Sequence, residues 1–146
     1  MTYRQNLHVQ QGATFSYVYT HRDSAGAAVN LTGYTARMSI RDCYGGALLA
    51  YLSTGADAAG GTITLGGSAG TVTIAMTATQ TDALDPAYGA YADVMFAEWE
   101  AGLSGVYSPP AAQSARSFVY DLELVNGATV TRVLEGAVDM RRSVTA

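Results

Sequence analysis

Alternation with a period of two constrains this chain more than any other feature. From Tyr34 to Arg41, Tyr34, Ala36, Met38 and Ile40 fall on one side and Thr35, Arg37, Ser39 and Arg41 on the other. Successive side chains of a strand point to opposite faces, so the pattern predicts a half-buried strand in an antiparallel sheet. The signature recurs at Phe15, Tyr17 and Tyr19, at Ile63 and Leu65, and at Val72, Ile74 and Met76. Tyr88–Phe96, Phe118–Val125 and Val130–Met140 extend it. Turn chemistry separates these runs: Asp23–Gly26, Tyr44–Gly46 and the glycine-rich Gly66–Gly70 supply turn residues and positions that tolerate positive φ. Asn126-Gly127 is the strongest hairpin signal. Short strands at this spacing predict an all-β sandwich or barrel.

Two segments depart from the pattern. Thr79-Gln80-Thr81-Asp82 reads as a capping-box start, and Pro86 disfavours helix just before it, so one short helical turn is expected near 79–84. Ala97–Ser117 is long, with small residues and a Pro109-Pro110 pair. A connection of this length in a compact domain is either a solvated excursion or a contact loop. In the contact reading its candidates are Trp99, Tyr107, Pro109, Pro110 and Arg116, because large aromatic and arginine side chains anchor interfaces. The arm Met1–Gln11 reads as an edge strand, an arm laid on a neighbour, or a frayed terminus, with Tyr3, Arg4 and Leu7 as its candidate contacts.

A chain of 146 residues fits one domain, residues 1–146, and its apolar content suffices for a single core. Charged residues make up only 14%, which argues against disorder. All eight basic residues are arginine, and they are scattered. Nucleic acid calls for a concentrated basic surface, so none is expected as a partner. No apolar run approaches the ~20 residues of a membrane helix, so no membrane partner is expected. The first residues have no apolar h-region, and synthesis in a cytosol is expected.

No catalytic constellation is legible. Gly66-Gly67-Ser68-Ala69-Gly70 matches G-x-S-x-G, but a strand-like run follows it and no histidine follows His21. The triad order of a nucleophile elbow therefore fails. Cys43 stands alone, without an intrachain disulfide or a local histidine partner. Glu98 and Glu100 flank Trp99 and their i, i+2 spacing would put both on one face of a strand, whereas glycosidase carboxylates face each other across a sugar from separate elements. Asn30-Leu31-Thr32 is a sequon that reads here as a turn and strand start. Two distant histidines and one cysteine make no metal set, and no cofactor is expected.

Two segments carry a family resemblance. Gln11–Asp42 runs Q-G-x-T-F, a strand, D-x-x-G-x-x-V-N-L-T-G, then an alternating strand ending I-R. Tyr120–Thr145 runs Y-D-L-E-L, a hairpin, R-V-L-E-G-x-V and a closing V-T. Together they resemble small structural proteins of tailed bacteriophages, in particular the N-terminal domain of baseplate upper proteins. The resemblance implies an Ig-like antiparallel β-sandwich, no catalytic residues, and assembly into the virion with other virion proteins in the tail or baseplate region. A symmetric homo-oligomer in the particle is expected. The alternatives are a head-decorating cement protein and a carbohydrate-binding module for host attachment, the latter resting on Trp99 and Tyr107. Ten tyrosines supply amphipathic contact area suited to association.

Overall fold

The computed structural model describes residues 2–84 and 115–141. Among these, nine strands follow in order: β1 (Tyr3–Arg4), β2 (Leu7–Gln10), β3 (Phe15–Thr20), β4 (Thr35–Arg41), β5 (Leu48–Ser53), β6 (Thr62–Leu65), β7 (Thr71–Met76), β8 (Ala115–Asn126) and β9 (Thr129–Arg141). A short helix, α1 (Ala78–Asp82), follows β7. The expected strand Tyr88–Phe96 and residues 97–114 of the expected loop lie outside the described residues. Ala115–Ser117, the last three residues of that loop as expected, instead begin β8, where they pair with Asp139–Arg141 of β9.

The strands form one sheet in the order β1-β9-β8-β4-β5-β6-β7-β3, and β2 continues β1 along β9. The all-β class holds, with two differences from an antiparallel sandwich. Parallel pairs enter, because β1 and β2 run in the same direction as β9. The sheet also curls as one body rather than parting into two clear layers. Its β5–β6 join is a single parallel pair, Ser53 with Thr62. The curl brings the edges together: the rings of Tyr3 on β1 and Tyr19 on β3 lie 6.0 Å apart.

Burial follows the alternation. Ala36, Met38 and Ile40 of β4 and Phe118, Tyr120, Leu122 and Leu124 of β8 face inward. Val72, Ile74 and Met76 of β7 meet them, with Leu52, Ile63, Leu134, Val138 and Met140. Phe15, Tyr17, Tyr19 and Tyr34 are only half-buried at the rim of this core. The β8–β9 hairpin closes on Gly127-Ala128, one residue later than the Asn-Gly signal, with Asn126 paired to Thr129. Gly127 takes φ 59° and, among the described residues, no non-glycine has positive φ, so Ala128 does not, the pattern of a II′ turn.

The helix begins two residues before its expected cap. Thr77, not Thr79, is the N-cap: its Oγ1 accepts from the Gln80 N–H at 3.2 Å, and the Gln80 Oε1 accepts from the Thr77 N–H at 2.8 Å. Glutamine at the third helical position completes the reciprocal pair that aspartate at 82 was expected to supply. Thr81 is fully buried and pins α1 to the β2–β3 turn. Its Oγ1 accepts from the Gly12 N–H at 3.1 Å and lies 2.8 Å from the Ala13 carbonyl. Thr81→Val keeps the volume and strands both groups, so it is expected to cost about 2 kcal/mol in a urea titration. An unchanged midpoint would mean that the clamp carries no stability.

Candidate protein-contact surfaces

The N-terminal arm is an edge strand of this protein's own sheet. Leu7 pairs with Val138 and is 2% exposed, so it belongs to the core and is withdrawn from the contact candidates. Tyr3 and Arg4 remain on the surface. Arg4 reaches Glu135 at 3.5 Å. Between β1 and β2 the chain passes so close to β9 that a Cβ at Gly136 would overlap the Gln5 carbonyl. That carbonyl also accepts a 2.5 Å hydrogen bond from the Tyr120 hydroxyl. Trp99, Tyr107, Pro109 and Pro110, like Glu98 and Glu100, lie outside the described residues. Arg116 sits in β8 opposite Met140.

Tyr3, Tyr19 and His21 gather where the edges meet. The Tyr19 hydroxyl lies 3.3 Å from His21 Nδ1. Burial, and then the neighbouring Tyr3 and Tyr17 hydroxyls, push the Tyr19 pKa up to about 12 from 10.0. Burial pushes Tyr120 up as well and His21 down from 6.5. The folded state therefore keeps tyrosine protons that the unfolded chain releases from about pH 10, and stability falls as pH rises through that window. The unfolded chain binds a proton at His21 more readily, so stability also falls as pH drops below 6.5. Thermal melts across pH should show a plateau between two declining limbs, with a shallower alkaline limb in Tyr19→Phe. An alkaline limb unchanged in Tyr19→Phe would exclude Tyr19 as its source.

The outer face of β9, β8 and β4 is a charged lattice. One row crosses the strands as Arg4, Glu135, Asp121 and Ser39, and the next as Arg132, Glu123 and Arg37. A bulge creates the second row. Leu122 pairs with Leu134 but Glu123 pairs with Arg132, which leaves Val133 as an extra residue. The shift of parity turns Arg132 outward. Arg132 then pairs with Asp121 at 3.2 Å and Glu135 at 3.8 Å, and Arg37 pairs with Glu123 at 2.7 Å. That hydrogen bond raises the Arg37 pKa further. A groove of about 210 Å³ lies over this lattice, lined in part by Ser39, Arg41, Tyr44, Asp121 and Arg132. Tyr44 is 79% exposed at its rim. Periodicity placed Arg37, Ser39 and Arg41 outward, but the partners of Arg37 come from a strand far along the chain.

The outer face of β6, β7 and β3 has the opposite character. Its rows are Thr62, Ala75 and Ser16, then Thr64, Thr73 and Val18, then Thr71 and Thr20. No charged residue occurs in any of these three strands. Val18 is 57% exposed among the hydroxyls. In the sequence Thr71, Thr73 and Ala75 stand out only as the positions that interleave Val72, Ile74 and Met76. The run of uncharged outward positions was the available signal of a surface.

The remaining motifs take ordinary structural roles. Gly67–Ala69 forms a 3-10 turn between β6 and β7, so Ser68 does not sit on a strand-to-helix elbow. Cys43 is exposed in the β4–β5 turn, and a hydrogen bond with Asp42 pushes its thiol pKa up, away from the reactive thiolate. Among the described residues no group of three or more His, Cys, Asp or Glu is gathered as for a metal ion. No helix among them is long and apolar enough to cross a membrane. No protein-family model matches the chain, and no curated protein matches its sequence.

Proposed function

We propose that this chain is a non-enzymatic structural component of a tailed-phage particle, binding neighbouring virion proteins in the tail or baseplate region. The observation that carries the reading is the division of the outer sheet surface. One half is a charge lattice and the other is an uncharged lattice ending in an edge strand, both surfaces suited to docking rather than turnover. The motif resemblance of Gln11–Asp42 and Tyr120–Thr145 supplies the virion context. We read the curled sheet as an Ig-like arrangement. The run β9-β8-β4-β5 has the G-F-C-C′ order of a variable-type domain, and β6-β7-β3 has the D-E-B order.

Particle imaging with the chain labelled at residue 44, beside the groove, tests the proposal. Label at the tail tip or collar, in about a dozen copies or fewer by symmetry, is the expected result. Hundreds of copies over the head would replace the tail position with capsid decoration. Absence from purified particles would overturn the virion reading. A deletion confined to 97–114, which spares β8, tests the contact loop: unaltered incorporation would remove Trp99, Tyr107, Pro109 and Pro110 as contacts.

A further inference from the structure

We propose that β3 pairs with β3 of a second copy, antiparallel about a two-fold axis, joining two sheets edge to edge. The ladder parity identifies the groups that would pair. The Gly66 N–H donates to the Thr71 carbonyl, so Thr71, Thr73 and Ala75 turn their backbone groups to β6. Val72, Ile74 and Met76 therefore turn theirs to β3, where their register partners are Tyr19, Tyr17 and Phe15. The N–H and C=O groups of Ser16, Val18 and Thr20 point the other way. Among the described residues none of these has a hydrogen-bond partner.

Edge strands in soluble proteins are usually blunted by charge, proline or a bulge. β3, Phe-Ser-Tyr-Val-Tyr-Thr, has none of these, and its register with β7 is unbroken. The choice of a second copy as occupant comes from the strand's own symmetry. Its outward residues read hydroxyl, valine, hydroxyl in either direction. A two-fold axis at Val18 would set Val18 against Val18, Ser16 against Thr20 and Tyr17 against Tyr19 of the other copy. Each hydrogen-bonded pair exchanges two backbone bonds, and the aromatic cross-strand pairs add to them. No like charges meet, whereas a charged partner strand would leave its own charges unmatched along this edge. The uncharged rows of β6, β7 and β3 would then run on into the same rows of the second copy.

This inference goes beyond the virion reading and does not depend on it, since the mass of the purified full-length chain in solution tests it alone. Light scattering is expected to give twice the single-chain mass at micromolar concentration. Val18→Pro removes the central N–H at an edge position that tolerates proline, and Val18→Lys sets two like charges face to face. Each is expected to weaken the dimer at least about tenfold with an unchanged circular dichroism spectrum. Should a variant misfold, hydrogen exchange of the unaltered chain decides: the Ser16, Val18 and Thr20 amides should become protected as concentration rises. A monomer at high concentration, a dimer indifferent to folded variants, or edge amides without concentration-dependent protection would each overturn the proposal.

Discussion

Leu122→Ala is expected to lower the unfolding free energy by about 3 kcal/mol, within the range of truncations at fully buried leucines. Leu122 is wholly buried in β8, directly between Met38 of β4 and Leu134 of β9. Three strands thus meet at this side chain. β8 and β9 are held by the longest ladder in the sheet, which limits how far the backbone can collapse into the space left behind. For a small domain with ~5–15 kcal/mol of total stability, such a loss is a large fraction. Urea denaturation should move its midpoint without changing its slope. Val130→Ala, at a position 47% exposed, should stay within about 0.5 kcal/mol of the parent. Equal effects from the two would mean that the inward face of β8 is not the centre of the core.

Gly136→Val is expected to cost about 2–3 kcal/mol by a different route, overpacking instead of a void. The Gln5 carbonyl occupies the space a Cβ would need, and backbone cannot yield as a flexible side chain can. The strain is relieved most directly by lifting the segment between β1 and β2 from β9. The amides of Leu7–Gln10 should then exchange faster than those of β4 or β7. Tyr120→Phe is the companion variant: losing its hydroxyl bond to Gln5 should cost about 1 kcal/mol and loosen the same segment. If exchange accelerated evenly over the whole sheet, the damage would be global and the local account would fail.

Much of the strand pattern was legible, for a physical reason. Where one face is buried and the other wet, side-chain polarity records the pleat, as in β4, β6 and β7. β5 left no such record: in Leu48–Ser53 the residues on both faces are largely apolar, so alternation is lost. The bulge at Val133 was equally hidden, because an apolar residue at either parity reads as strand. Pairing direction is not written in polarity at all, so the parallel alignment of β2 with β9 could not be anticipated. On the candidate surfaces, exposure could be guessed for Tyr3 and Arg4 but not for Leu7. An alternating Leu7 and Val9 suit the core of the same chain as well as a neighbour's surface. The ion pairs around Arg132 were out of reach for the same reason as the bulge that aims it.

The pairing of β2 with β9 also bears on the order in which the protein is made. Val138–Arg141, the partners of Leu7–Gln10, leave the ribosome almost a full chain length after β2 does. At ~5–20 residues per second, that interval is on the order of ten seconds. Throughout it Leu7 and Val9, both 2% exposed in the finished fold, have no strand to cover them. β2, made before its partner β9, is therefore among the last strands to be seated. A nascent chain arrested before β9 should carry an open seam that chaperones or neighbouring nascent chains can occupy.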